Sequence, residues 1–116
     1  MPLYAQLTVD DRKFVLVHGG LEGFSSDRPL SDYPDRVFLW SRPNLWTQYY
    51  DDATVILGHT PTVFYGDQYT GRILKTRTWI DVDVGVGLGQ EPVLLRLDDM
   101  KEFYYKEMKK GENANG

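Results

Sequence analysis

The sequence predicts a β-rich α/β domain with short helices, and three observations support this fold class. Apolar residues fall in short runs rich in Val, Ile, Leu and aromatic side chains, bounded by Gly, Asp and Pro. The chain has 116 residues, the length of one domain. Its 41% hydrophobic and 26% charged residues are typical of globular proteins. We expect one domain at residues 1–105 and a flexible, Gly/Asn-rich tail at 106–116.

The first half is predicted to contain a hairpin, a loop and two short helices. Two apolar runs, at residues 3–9 and 13–18, flank Asp10-Asp11-Arg12, and this pattern favours a β-hairpin. Residues 19–34 are rich in Gly, Ser, Asp and Pro, which are typical of loops. The density of apolar residues predicts short helices at 35–40 and 45–50, on either side of a break at Pro43.

The second half is predicted to be mostly β-structure. Gly and Asp in residues 66–71 indicate a hairpin loop, and residues 98–101 indicate the last turn. Strands are predicted at 54–57, 63–65, 73–76, 79–84, 93–97 and 102–105.

Composition excludes several kinds of function. The chain has no cysteine, so it forms no disulfide or Cys-based zinc site, and the only imidazoles are those of His18 and His59. A net charge of −4 gives no electrostatic reason to bind nucleic acid or an anionic membrane. No apolar run approaches the ~20 residues of a membrane span. Residues 1–4 lack the basic and apolar regions of a signal peptide, so we expect a cytoplasmic protein.

Both histidines follow a β-type run where glycine begins. His18 lies in Val-His-Gly-Gly-Leu at 17–21, and His59 lies in Gly-His-Thr-Pro-Thr at 58–62. Strand ends that open into Gly-rich loops commonly carry ligand-binding side chains, because the sheet fixes the backbone while the loop leaves room. Imidazole in such a position suits a metal ion. The alternative is that each histidine only bonds to nearby backbone.

These two segments resemble consecutive motifs of the calcineurin-like metallophosphoesterases, in the same order. The neighbouring sequence is most similar to bacterial serine/threonine protein phosphatases, and the resemblance spans about residues 3–105. The resemblance implies the C-terminal part of the family's four-layer sandwich, with mostly antiparallel or mixed strands. The further segments that carry it are Phe-Leu-Trp-Ser-Arg at 38–42, Trp-Ile-Asp-Val-Asp-Val-Gly at 79–85, Leu-Arg-Leu-Asp-Asp at 95–99 and Glu-Phe-Tyr at 102–104.

The resemblance also implies roles for three residues. His18 and His59 would ligate the same one of two adjacent metal ions (manganese, iron or zinc), and Arg42 would bind phosphate. The planar fork of an arginine matches phosphate oxygens, although an exposed arginine on a helix is the alternative. Family members hydrolyse phosphomonoesters or, in some branches, dinucleotide polyphosphates. The substrate would therefore be a phosphorylated protein or a small phosphoester.

The family's earlier motifs, Asp-x-His, Gly-Asp-x-x-Asp-Arg-Gly and Gly-Asn-His-Glu, do not occur in this sequence. They supply the remaining metal ligands, so the chain alone is expected to bind metal weakly and to hydrolyse phosphate esters negligibly. Two hypotheses stay open: part of a split phosphatase, or a non-catalytic remnant that oligomerises or binds phosphate or protein. In either case, an exposed apolar patch or strand edge should lead to self-association or to pairing with a separate N-terminal half.

Three other features have a structural and a functional interpretation. Gly85-x-Gly87-x-Gly89 favours a strand connection over a nucleotide loop, because a strand is predicted to follow it. Asp81 and Asp83 favour hydrogen bonds to turns or metal ligands over an acid–base pair. For the aromatic residues, core packing is favoured over a substrate wall. These residues are Trp40, Trp46, Tyr49 and Tyr50.

Overall fold

A computed structural model describes residues 4–104 of the chain. This part is β-rich with short helices, as the sequence predicts, and none of its helices has the length and apolar character needed to cross a bilayer. The one α-helix among these residues is α1 (Asp35–Trp40). The strands are β1 (Tyr4–Val9), β2 (Arg12–Val17), β3 (Ala53–Leu57), β4 (Leu74–Lys75), β5 (Trp79–Asp81), β6 (Val93–Arg96) and β7 (Lys101–Tyr104).

Five strands form a mixed sheet in the order β1-β2-β3-β5-β4. The three central strands are parallel, and the two outer strands run antiparallel to their neighbours. The remaining two strands, β6 and β7, form a separate antiparallel hairpin. Because the carboxyl ends of parallel strands meet at one edge, residues that follow β2, β3 and β5 are brought to the same end of the sheet.

The hairpin predicted near the start of the chain is confirmed. Asp10 and Asp11 form its two-residue loop with φ values of 50° and 67°, as in a type I′ turn, and Val9 faces Arg12. Asp tolerates positive φ better than most residues, which explains why this short loop needs no glycine. Strand β1 is the exposed edge of the sheet, so the open strand edge expected from the sequence is present in the described part of the chain.

The two faces of the sheet carry separate apolar clusters. Trp79 and Ile80 are adjacent on β5 and therefore point to opposite faces. The Trp79 face packs against α1 and the loops before and after it, whereas the Ile80 face packs against the β6–β7 hairpin. Lys75 and Glu102 fasten that hairpin to β4 with an ion pair of 2.9 Å.

The helix predicted at residues 45–50 is wrong. The Asn44 side chain accepts a hydrogen bond from the Trp46 amide at 2.9 Å, and Thr47 Oγ1 accepts one from the Asn44 amide at 3.0 Å. These local bonds compete with the helical pattern directly after Pro43. The chain then continues without helix to Tyr49, whose amide donates to Thr78 Oγ1 at 2.9 Å.

The strand predicted at residues 63–65 is also wrong, because Thr62–Tyr65 forms a 3₁₀ helix. Pro61 fixes the first turn, and Thr62 Oγ1 lies 2.9 Å from the Tyr69 carbonyl oxygen and 2.7 Å from the Arg72 carbonyl oxygen. The other predicted strands are found, but those at 73–76 and 79–84 are shortened to Leu74–Lys75 and Trp79–Asp81. The predicted tail at 106–116 lies outside the described residues.

Candidate metal- and phosphate-binding site

His18 and His59 lie side by side at the carboxyl ends of two adjacent parallel strands. His18 directly follows β2, and His59 follows β3 after Gly58. His18 Nε2 and His59 Nδ1 are 3.0 Å apart, and both side chains are exposed. The predicted positions of both histidines at strand ends are therefore confirmed. The two imidazoles are hydrogen-bonded to each other. This differs from the alternative, in which each histidine bonds only to nearby backbone.

The backbone of His59 adopts an uncommon conformation. Its φ is +69°, in the left-handed region that non-glycine residues rarely enter, although histidine tolerates it better than most. The flanking backbone is held by hydrogen bonds from Gly58 N to the His18 carbonyl at 2.9 Å and from Thr60 N to the Gly58 carbonyl at 2.8 Å. Such strained residues cluster at functional sites. No pattern in the sequence predicts this conformation.

The imidazole pair fits two positions of a metal site. With metal–nitrogen distances of about 2.1 Å, two ligands at right angles around one ion stand about 3.0 Å apart. The His18–His59 separation of 3.0 Å is close to this value and is also an ordinary hydrogen-bond length, so the pair is compatible with two ligand positions at right angles around one ion. Among residues 4–104, however, no group of three or more His, Asp or Glu side chains is arranged to hold a metal. Any further ligands would therefore come from outside the described residues or from water.

Arg42 lies on the segment that packs against the His18 loop. Gly19 N donates to the Phe38 carbonyl at 2.7 Å, and a Cβ on Gly20 would contact Pro43 and Ser41 at 3.3 and 3.4 Å. The Arg42 side chain is exposed, and no carboxylate within the described residues forms an ion pair with it. It follows α1 instead of lying on it, and among the described residues no hydrogen bond joins it to either imidazole.

Two tryptophans flank the histidines and Arg42 on the surface, so the core packing predicted for them is wrong. Trp40 is 71% exposed, and its ring meets the His59 ring edge-on at 5.3 Å. Trp46 is 81% exposed and lines a cleft of about 340 Å³ that also borders Arg42. Core packing is confirmed for Tyr49, which is buried, while Tyr50 is half-buried.

Asp81 ends the third parallel strand but points into the core. Its side chain is 0% exposed. Burial raises the pKa of Asp81 to about 8, and the nearby Asp83 carboxylate adds to this effect. A hydrogen bond from the Asp83 amide acts in the opposite direction and lowers the pKa. That bond reaches Asp81 Oδ1 at 2.9 Å, whereas Oδ2 has no hydrogen-bond partner among the described residues. Asp83 Oδ1 in turn accepts from Gly85 N at 3.0 Å. The predicted turn hydrogen bonding of these aspartates is confirmed.

The glycine-rich segment after Asp83 connects two strands, as predicted. Gly85 and Gly89 have φ values of +94° and +93°, and the 3₁₀ helix Val86–Leu88 between them leads into β6. No long helix starts here, so the segment lacks the backbone amides that a dinucleotide-binding loop presents at a helix N-terminus.

Replacing Gly19 with alanine is expected to disturb the join between the His18 loop and the Arg42 segment. The added Cβ would lie 2.6 Å from the Ser41 carbonyl oxygen and 3.1 Å from that of Leu39, both backbone atoms that cannot rotate away. Overpacking of this kind costs about 1–3 kcal/mol. Gly87→Ala is the matched control, since its Cβ would meet nothing within 4 Å. Urea unfolding checks the difference, and equal losses in both variants would contradict the described packing.

The chain matches no family model, and no curated protein matches it in sequence.

Proposed function

We propose that this chain is the C-terminal part of a metal-dependent phosphoester hydrolase of the calcineurin-like, serine/threonine protein phosphatase type. One observation carries the proposal: His18 Nε2 and His59 Nδ1 stand 3.0 Å apart at the ends of adjacent parallel strands. This separation is compatible with two ligands at right angles around one ion, and it is also that of a hydrogen bond between the rings. The two histidines come from motifs 41 positions apart in sequence, and each motif resembles the family pattern.

In this proposal the chain contributes ligands and a phosphate contact. His18 and His59 would hold one divalent ion through ring nitrogens, and such an ion would act as a Lewis acid that neutralises charge on a phosphoryl group. Arg42 offers a planar set of donors to the phosphate oxygens. Its side chain is exposed and bears no ion pair within residues 4–104, so these donors remain available to a ligand.

The rest of the site would come from an N-terminal half with the remaining motifs. The five-stranded sheet would then be one layer of the family's four-layer sandwich, with α1 and its loops as part of a second layer. This chain alone is proposed to be inactive as a hydrolase. The exposed edge strand β1 gives a second candidate function, a non-catalytic module that pairs with another chain.

Manganese binding measured by isothermal calorimetry tests the proposal. We expect weak binding of one ion per chain that is lost in both His18→Ala and His59→Ala, because each variant leaves a single nitrogen ligand. Asp10→Asn is the control, since this exposed carboxylate lies in the hairpin loop at the opposite end of β2 and asparagine also tolerates its positive φ. Hydrolysis of a chromogenic phosphomonoester should be negligible with all four proteins.

Two results would count against this proposal. Metal binding that is unchanged in both histidine variants would remove the basis for the shared ion. Manganese-dependent hydrolysis by the chain alone that disappears in His59→Ala would instead show a complete site, and the proposed need for another half would be wrong.

A further inference from the structure

We propose that the cleft beside Arg42 binds the aromatic ring of an aryl phosphomonoester, as in a phosphotyrosyl peptide, with the phosphate directed toward Arg42. This inference rests on the proposed function and names the substrate class of the same site. Its starting point is the surface next to the histidine pair, where large aromatic side chains are exposed instead of packed in the core. The cleft is lined by Arg42, Pro43, Asn44, Leu45, Trp46, Phe64 and Tyr65.

The walls of this cleft are mostly apolar, and hydrogen bonds hold part of the segment that carries them. Trp46 is 81% exposed and Phe64 63% exposed, so both rings present their surface to solvent. The Asn44 side chain fixes the backbone of Trp46 through its 2.9 Å hydrogen bond, and Tyr65 donates its hydroxyl to the Pro43 carbonyl at 2.8 Å. Holding this backbone in place lowers the conformational freedom that is lost when a ring binds. Its volume of about 340 Å³ lies in the ~300–1,000 Å³ range of small-molecule sites.

The charge in the cleft selects a phosphate that carries such a ring. Arg42 is the one charged side chain among the described residues that line it. One guanidinium complements a single phosphate group, whereas a dinucleotide polyphosphate presents several negative charges. An aliphatic phosphate, such as phosphoserine, would leave the aromatic walls without a partner. An aryl phosphate uses both features, the ring by stacking and the phosphate by charge-assisted hydrogen bonds.

The position of Arg42 sets the direction of the ligand. Arg42 also borders a second cleft, which Trp40 lines, and Trp40 packs against the ring of His59. A ring that packs against Trp46 in this cleft would therefore direct its phosphate to Arg42, on the side of the molecule where the histidines lie. The aromatic cleft thus acts as a specificity pocket for the leaving group.

Nuclear magnetic resonance of ¹⁵N-labelled indole groups tests this assignment on the full chain. The chain has three tryptophans, so three indole signals are expected, and Trp46→Phe identifies the one from Trp46. Phenyl phosphate should shift the Trp46 signal and bind at least tenfold more tightly than glycerol 2-phosphate. The signal of Trp79, which is 0% exposed, should stay in place and report that each variant is folded.

Variants separate the two parts of the ligand. Trp46→Ala should bind phenyl phosphate and glycerol 2-phosphate with about equal affinity. Trp46→Phe should retain most of the preference for phenyl phosphate. Arg42→Gln should weaken binding of both phosphates and leave phenol binding unchanged. Leu94→Ala removes an exposed apolar side chain on β6, away from the cleft, and should change none of these affinities.

Several outcomes would overturn the inference. Equal affinity for the two phosphates would do so, as would a preference that survives in Trp46→Ala. A Trp46 signal that moves with protein concentration alone would assign the cleft to a second copy of the chain. The histidine-dependent manganese titration is a separate measurement. If that titration succeeds and the aryl preference is absent, only the substrate class is wrong; if it fails, the proposed function is wrong.

Discussion

The stability of the protein is expected to fall between pH 5 and pH 8, and Asp81→Asn is expected to remove most of this fall. Burial raises the pKa of Asp81 in the folded protein to about 8, whereas the ordinary pKa of an aspartate, which we assign to the unfolded chain, is 3.8. Between these values the folded state holds a proton that the unfolded state has released. Stability from this group is therefore complete below about pH 4 and is lost as the pH rises toward 8.

The size of this effect follows from the pKa difference. Each pH unit within the window costs up to about 1.4 kcal/mol, so the three units from pH 5 to pH 8 cost at most about 4 kcal/mol. Relaxation around the charge lowers this limit, and we expect about 2 kcal/mol. Asparagine keeps the acceptor for the Asp83 amide but carries no charge, so the variant should unfold with nearly the same free energy throughout this range.

Urea unfolding at pH 5, 6, 7 and 8 measures both proteins. Asp83→Asn is the control, because Asp83 is half-buried and its carboxylate accepts a hydrogen bond from the Gly85 amide. It should keep most of the slope. A slope that persists in Asp81→Asn would show that the carboxylate is paired or hydrated in the folded protein.

Local sequence signals were sufficient to predict most strands of this fold. Asp10 and Asp11 predict a short turn because asparagine and aspartate tolerate positive φ, and the flanking apolar runs predict its strands. The errors lie where side chains bond to the nearby backbone. The bonds of Asn44 with residues 46 and 47, and those of Thr62 with residues 69 and 72, replaced a predicted helix and a predicted strand. Such bonds depend on tertiary position, which periodicity does not describe.

The candidate site was predictable in its histidines but not in its surroundings. His18 and His59 stand out because each follows a β-type run and meets glycine, and parallel pairing of β2 and β3 brings them together. The exposure of Trp40 and Trp46 had no sequence signal, since aromatic residues are usually buried. The burial of Asp81 could not be predicted from the sequence either. The alternation of side chains along a strand shows which face of β5 carries Asp81, but only the fold shows what covers that face.

Trp79→Ala is expected to be the most destabilising single substitution in the described core. Trp79 is 0% exposed and packs in the main apolar cluster, with the Tyr65 ring at 5.5 Å, so alanine would leave a large cavity. Losses of about 3–5 kcal/mol are typical of such changes. Trp79→Phe should cost only about 1 kcal/mol. It keeps most of the apolar contact and removes an indole Nε1–H that has no hydrogen-bond partner within residues 4–104.

The comparison of these two variants bears on Asp81 as well. Trp79 Nε1 and Asp81 Oδ2 are a buried donor and a buried acceptor, two residues apart on one face of β5, and neither has a partner in the described part of the chain. If Trp79→Phe proves as costly as Trp79→Ala in urea unfolding, the indole must be bonded, and a buried water between these two groups would account for it. Trp79→Phe and Asp81→Asn would then be non-additive, because either change removes a partner of the same water. Additive losses, with a small cost for phenylalanine, would show that the two groups are unpaired and that Asp81 is kept neutral by burial and the nearby Asp83 carboxylate, without a bound water.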